Sequence, residues 1–209
     1  MIIQTNAIVL YRMKYKNSSL IARLFTKESG KISIIMNGAS KQKGNMFGII
    51  EPPNIIKLNY YERKKGSLQT CTEAGFMYNN SLIKKDIMKL SAALSVVEIL
   101  DKTFHEYDVH TDVYHLACEA LKKINASDCD SKIILCFFLI KLIEELGFML
   151  DLSNQNNIKN GISPEMKSVL MSLNNSSMED LNTINQYNMN PVEIIIFFEN
   201  YIKQHLKIN

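Results

Sequence analysis

Residues 55–74 read IIKLNYYERKKGSLQTCTEA and carry the pattern that decides the fold of the N-terminal part of the chain. Positions 56, 58 and 60 are apolar or aromatic, whereas Lys57 and Asn59 between them are polar. This alternation is typical of a strand that buries one face. The basic turn that follows contains Gly66, whose backbone takes a positive φ at low cost. The stretch therefore predicts a hairpin of two strands, 55–62 and 68–74.

Three further strands are predicted upstream, at 7–11, 20–26 and 31–36, because each of these segments has period-two character. In the second of them, Arg23 lies on the face opposite the apolar positions 20, 22 and 24. Six of the eight glycines and two of the four prolines precede residue 80, so turns interrupt this part of the chain repeatedly. Five short strands within about 75 residues predict an OB-fold barrel.

After Asn80 the apolar residues recur at three- and four-residue spacing, which predicts helices at 82–104, 112–124 and 130–146. Thr111 is the predicted N-cap of the second helix, and Gly147 the residue that ends the third. Residues 133–140 of the third helix are apolar all round, which indicates the central helix of a bundle. Two later helices are expected to begin at Ser163-Pro164 and Asn190-Pro191. The predicted fold is an α+β multidomain chain, with an OB-fold domain at 1–80 and an all-α helical bundle at 81–209.

The charge is divided unevenly between these two parts. The 209 residues are 46% hydrophobic and 22% charged and carry a net charge of +3, values that exclude collagen-like, disordered and disulfide-scaffold classes. Residues 1–80 hold 12 Lys and Arg against 4 Glu, a net charge of +8, and residues 81–209 hold 12 Lys against 17 Asp and Glu, a net charge of −5. This division indicates a basic module that binds a polyanion, joined to an acidic module with a different function.

The positive charge of the first part lies mostly in the predicted turns, with aromatic residues interleaved. Lysines neutralise phosphates and aromatic rings stack on bases, so this pattern favours binding of single-stranded nucleic acid over the alternative that the lysines only solvate loops. The candidates from charge alone are Arg12 and Lys14 after the first strand, and Arg63, Lys64 and Lys65 in the last hairpin.

Catalytic and metal-binding motifs are not evident in the sequence. His105, His110 and His115 are spaced by five residues, a rotation of about 140° on a helix, and do not converge as zinc ligands at i and i+4 would. The four cysteines, at 71, 118, 129 and 136, contain no C-x-x-C pair, and no nucleotide-binding glycine motif is present. We predict no catalytic residue, no metal and no cofactor. With no signal peptide and an apolar run of only eight residues, we expect a cytoplasmic, nucleoid-associated protein without a membrane span.

The order of these features resembles the bacterial recombination mediator RecO family. In the first part the likeness is carried by Ala7-Ile8-Val9-Leu10, Leu24-Phe25-Thr26, the Gly30-Lys31 turn, Gly38-Ala39 followed by Lys41, and Pro52. In the second part it is carried by Leu146-Gly147-Phe148, Ile162-Ser163-Pro164 and the ending Tyr201-Ile202-Lys203-Gln204-His205-Leu206.

The resemblance implies a non-enzymatic protein that binds single- and double-stranded DNA and anneals complementary strands. It also implies contact with the single-stranded DNA-binding protein SSB and joint action with RecR in loading RecA. It places Lys31, Lys41 and Lys43 on the DNA-binding surface. Lys122 and Lys123, the densest basic pair of the second helix, are candidates for the SSB contact.

Two features depart from the family pattern. Many members carry a four-cysteine zinc site after the Leu-Gly-aromatic landmark, but here residues 153–161 contain no cysteine, so no zinc is expected. The helical part is acidic, whereas an acidic SSB tail prefers a basic groove. Two alternatives stay open: an OB-fold RNA-binding module with a helical protein-docking domain, and a metal-dependent hydrolase that uses the three histidines.

Overall fold

The computed structural model describes residues 1–39, 46–148, 162–182 and 191–206. Five strands form the N-terminal part: β1 (Ile2–Tyr15), β2 (Ser19–Thr26), β3 (Gly30–Met36), β4 (Ile55–Tyr61) and β5 (Gln69–Tyr78). A one-turn helix, α1 (Met46–Ile49), precedes β4. The following helices are α2 (Ile87–Thr103), α3 (Thr111–Ala126), α4 (Ser131–Glu145), α5 (Pro164–Asn174) and α6 (Pro191–Leu206).

The strands close into a barrel in the order β1-β2-β3-β5-β4. All neighbours are antiparallel except β3 and β5, which pair in parallel over Ile34 with Gln69 and Ile35 with Thr70. The predicted five-stranded barrel followed by helices is confirmed, and Gly66 has the expected positive φ of 79°. The face assignment in β4 is also confirmed, because Ile56, Leu58 and Tyr60 are buried.

Strand β1 is much longer than predicted. Its first half pairs with β4 and its second half with β2, and the register with β2 shifts between Val9 and Tyr11, with Leu10 as the extra residue of a β-bulge. A bulge bends a strand and increases its local twist, which lets one long strand serve two neighbours. Sequence alternation ends at such a bulge, so the predicted strand 7–11 covered only the middle of β1.

Helix α2 begins later than predicted, because Asp86 is its N-cap. The Asp86 carboxylate accepts hydrogen bonds from the backbone N–H groups of Met88 (2.8 Å) and Lys89 (3.2 Å), and residues Ile83–Lys85 form a separate 3₁₀ turn. Thr111 as an N-cap is also wrong: it is the first residue of α3, after His110.

The remaining predicted helix ends fall partly outside the described residues. Gly147 has φ +79° after α4, and Ser163 caps α5 ahead of Pro164, both as predicted. Helix α4 packs against α2, α3, α5 and α6, which confirms its central position. Asn190, the predicted cap of α6, lies outside the described residues, as does the segment 153–161.

Two hydrophobic clusters stabilise the molecule. One fills the barrel with residues such as Leu24, Ile34 and Leu58. The other joins the helices to the outer side of the barrel, and its barrel members are Ile8, Leu10, Phe25 and Ile55. The outer side of the barrel and the helices therefore share one core, whereas the barrel interior forms a second. In the described part of the chain, no helix is long and apolar enough to cross a lipid bilayer.

Candidate nucleic-acid interface

The hairpin between β4 and β5 displays the predicted basic run Arg63–Lys65 to solvent. Its backbone is ordered by hydrogen bonds: the Arg63 N–H donates to Oε1 of Gln69 (2.6 Å), and the Ser67 N–H donates to the Lys64 carbonyl (3.1 Å). Lys65 Nζ lies 5.8 Å from the ring centroid of Tyr107, a cation–π contact. We call this run the cationic hairpin. Its three charged side chains project from a turn whose backbone is held by hydrogen bonds.

A second basic turn joins β1 to β2. Lys14 is exposed, and Lys16, at a positive φ of 52°, places its ammonium 5.3 Å from the ring centroid of Tyr15. Tyr15 itself is 38% exposed. Lys16 belongs to the same basic turn as Lys14 and is a further candidate, which its position next to an aromatic residue in a predicted turn indicates from the sequence.

The β-bulge at Leu10 decides which way the basic residues of β1 point. Beyond the bulge, Arg12 and Lys14 stand opposite Ala22 and Leu20 of β2, which belong to the barrel core. Residues directly opposite each other in a sheet share a face. Arg12 and Lys14 therefore lie on the inner side, at the mouth of the barrel, rather than on its outer wall.

A cleft of about 520 Å³ opens at this mouth. We call it the mouth cleft. Its lining combines cationic, amide, apolar and aromatic side chains: Arg12, Met13, Lys14, Asn17, Leu20 and Phe47.

Arg12 is already engaged inside the protein. Its guanidinium forms an ion pair with Glu51 (3.0 Å) and donates to the carbonyl of Phe47. Glu51 also forms an ion pair with Lys84. Arg12 thus ties β1 to α1 and sets the position of Phe47 beside the cleft.

Lys31 has the least available ammonium of the predicted DNA contacts in the described residues. Its side chain is only 12% exposed, and Nζ donates to the Asp101 carbonyl (2.6 Å) and lies 3.6 Å from the Asp101 carboxylate. Arg23 approaches the same carboxylate with two nitrogens, at 3.0 and 2.5 Å. Two cations of the outer β2–β3 face thus point at one carboxylate of α2.

The remaining predicted lysines lie outside the described residues or on α3. Lys41 and Lys43 lie outside the described residues. On α3, Lys122 Nζ lies 5.7 Å from the Tyr78 ring centroid, and Lys123 Nζ donates to the Glu179 carbonyl (3.4 Å). Both side chains are half-buried, so the proposed SSB contact has no exposed basic groove at this pair.

The groups considered for catalysis are dispersed. His105 is exposed, His110 lies 3.0 Å from the Asp108 carboxylate, and His115 packs edge-on to Tyr114. Across the described ranges, no three His, Cys, Asp or Glu side chains are grouped to hold a metal ion. Burial raises the pKa of Cys71 to about 12 and that of Cys118 to about 11, so both thiols are neutral and poorly nucleophilic at physiological pH.

Family models match both parts of the chain. The model described as Recombination protein O N terminal matches residues 1–79, the whole barrel, and the model described as Recombination protein O C terminal matches residues 84–186. The chain belongs to the RecO family. Its basic barrel and its acidic helical part thus correspond to the N-terminal and C-terminal portions of that family, and the resemblance inferred from the sequence is confirmed.

Individual relatives share about a quarter of the aligned residues. A protein named DNA repair protein RecO from Prosthecochloris aestuarii is 23% identical over 148 residues, which cover 71% of this chain and 56% of the relative. One of the same name from Chloroherpeton thalassium is 30% identical over 151 residues, covering 72% and 58%. A third, from Chlorobium phaeobacteroides strain BS1, is 26% identical over 181 residues, covering 87% and 67%. The chain thus spans little more than half the length of most of these relatives.

Proposed function

We propose that this protein binds single- and double-stranded DNA through its barrel during recombinational DNA repair in the cytoplasm. The observation that carries the proposal is the exposed cationic hairpin, Arg63–Lys65, on a barrel that matches a recombination-protein family. The relatives are named DNA repair proteins, which favours DNA over RNA as the polyanion.

The positions of the two basic turns support contacts with more than one phosphate group. The cationic hairpin lies beside the middle of β3, because Gln69, which accepts a hydrogen bond from the Arg63 N–H, pairs with Ile34. The turn at Lys16 lies near the end of β3, where Met36 pairs with Leu20. Two basic turns at different positions along one barrel suit a binding site of several nucleotides, as OB folds use.

Contacts with phosphates carry no sequence information, so we propose binding without sequence preference. Cations that screen the phosphates of two strands at once lower their mutual repulsion and let the bases pair, which is a physical route to annealing. The same complex would act with RecR to load RecA on SSB-coated strands. None of these steps requires a catalytic group of this chain. Lys14, Lys31, Lys41 and Lys43 remain proposed contributors, with Lys31 acting through the barrel's junction with α2.

Fluorescence anisotropy tests the proposal with single-stranded DNA, duplex DNA and RNA of equal length. Replacing Arg63, Lys64 and Lys65 by Gln should weaken DNA binding on the order of tenfold or more and reduce the slope of log affinity against log salt by about 2 to 3. The charge-matched control replaces Lys102, Lys132 and Lys167 of the helical part by Gln and should change affinity less than threefold.

Two outcomes contradict the proposal. One is equal loss of affinity in both triple variants, which would mean that only net charge matters. The other is a clear preference for RNA, which would favour the alternative of an RNA-binding module. Annealing of complementary strands, bare and SSB-coated, then tests the finer role, with the hairpin variant expected to anneal more slowly.

A further inference from the structure

The mouth cleft has the chemical composition of a nucleotide subsite rather than of a phosphate contact alone. Met13, Leu20 and Phe47 line it with apolar surface, and Lys14 and Asn17 add a cation and an amide. Its volume of about 520 Å³ lies within the range of small-ligand pockets. A site for inorganic phosphate alone would not require one aromatic and two apolar side chains in its lining.

The fold holds these walls in place from several directions. The β-bulge at Leu10 turns Lys14 toward the barrel interior, opposite Leu20 of β2. The Arg12 guanidinium joins the Phe47 carbonyl to Glu51, so the α1 turn that bears the Phe47 ring is anchored to β1. Phe47 is half-buried against the barrel core and retains an exposed part of its surface. The partly exposed Phe47 ring is therefore held in position at the cleft by contacts on both its backbone and its buried side.

Charge and aromatic surface meet at one point of the cleft. Lys14 Nζ lies over the Phe47 ring, 5.8 Å from its centroid. A base stacked on that ring would take the place of the ammonium, and the long Lys14 side chain would then reach the phosphate of the same nucleotide, since base and phosphate are joined by one sugar. The side-chain amide of Asn17 can both donate to and accept from the edge of a base.

We propose that the mouth cleft accepts one unpaired nucleobase, stacked on Phe47, with the phosphate of that nucleotide on Lys14. The inference rests on the proposed function, that the barrel binds DNA. A base within a duplex has both faces covered by its neighbours and its edge paired, so the cleft selects single strands. The cationic hairpin contacts phosphates of either form. Selectivity for single strands thus resides at the mouth of the barrel and general affinity on the turns.

The test uses the full chain and oligonucleotides that carry a single 2-aminopurine, whose fluorescence changes on stacking. Phe47→Leu keeps apolar volume against the barrel core and removes the ring. It should weaken binding of single-stranded DNA on the order of tenfold and abolish the 2-aminopurine change. Duplex affinity should stay within twofold. Phe47→Tyr should retain both properties.

Phe76→Ala is the matched control, since Phe76 is 54% exposed on β5 and does not line the cleft. It should leave single-strand affinity unchanged. Lys14→Gln should lower single-strand affinity more than duplex affinity, whereas a merely general cation would lower both equally.

The results separate this inference from the proposed function. If DNA binds and responds to the hairpin variant, but Phe47→Leu leaves the 2-aminopurine signal and the affinity intact, the base cleft is refuted and the proposed function stands. If Phe47→Leu lowers single-strand and duplex binding equally, selectivity does not reside there and the inference is also refuted. If no DNA binds at all, the proposed function fails first.

Discussion

At the scale of single residues, Gly30 is a glycine with no room for a side chain. It has φ +65°, and a Cβ built on it would lie 2.1 Å from the carbonyl oxygen of Asp108. The segment between α2 and α3 runs directly over it, and the Tyr107 N–H donates to the Lys31 carbonyl (2.9 Å). Gly30 is therefore required twice, for the turn between β2 and β3 and for the approach of the helical part.

Replacing Gly30 by Ala is expected to destabilise the protein by about 3 to 5 kcal/mol, because backbone strain and a backbone collision add. Gly66→Ala is the matched control: Gly66 has φ +79°, but nothing lies within 4 Å of its added Cβ, so only about 1 to 2 kcal/mol of strain is expected. Urea denaturation measures both free energies of unfolding. Equal losses in the two variants would show that the approach of Asp108 contributes nothing.

At the scale of elements, the C-terminal end of α2 and the segment that follows it lie against the outer face of β2 and β3. OB folds commonly use this face for nucleic acid. Here its cations Arg23 and Lys31 point at the Asp101 carboxylate, and Ser33 donates to Glu106 (2.8 Å). Carboxylates of the helical part thus occupy the places where phosphates would bind, which leaves the turns and the barrel mouth for a ligand.

Asp101→Asn keeps the shape of the side chain but removes the charge that Arg23 and Lys31 share. We expect a loss of about 1 to 3 kcal/mol, since two partly buried cations are left without a neutralising group. Glu98→Gln on the same helix removes an exposed ion pair with Lys102 and should cost less than about 0.5 kcal/mol. Chemical denaturation of both variants in low and high salt provides the measurement; a loss at Asp101 no greater than at Glu98 would contradict the argument.

At the scale of the whole molecule, the barrel and the helices are one packed body. Ile8, Leu10 and Phe25 point outward from the barrel and pack in the hydrophobic core of the helices. The rings of Phe25 and Phe104 are in contact, with centroids 5.2 Å apart. Exposing these side chains by separating the two parts would return a large apolar surface to water, which is unfavourable. The core of the acidic helical part thus includes side chains of the basic part, although the barrel interior forms a cluster of its own.

The two parts are therefore expected to unfold in a single transition. Phe104→Ala, although it lies in the helical part, should lower the stability of the barrel equally, by about 3 to 5 kcal/mol. Far-ultraviolet circular dichroism follows the helices, and hydrogen exchange with mass spectrometry follows strand peptides through the same denaturant series. Separate midpoints, or a loss confined to the helices, would refute the single packed body.

Much of the fold could be predicted from local pattern. Turn residues and alternation located all five strands, helical spacing located α2, α3 and α4, and proline at the first helical position located α5 and α6, because these signals depend on neighbours within a few residues. The one-turn helix α1 was not predicted. The cationic hairpin was predicted as well, since three consecutive basic residues before a glycine are typical of a solvent-exposed turn. The mouth cleft was not predicted, because the bulge at Leu10 and the turn bearing Phe47 come together only in the barrel.

By itself, then, the sequence determined the order of strands and helices, the turn chemistry and the uneven distribution of charge. Only the tertiary structure decided which charges remain available. Arg23 and Lys31 belong to the basic part, yet their partner Asp101 is 78 and 70 residues away along the chain. The physical reason is that periodicity reports which face of a strand a residue occupies, whereas the group that covers this face is set by long-range packing.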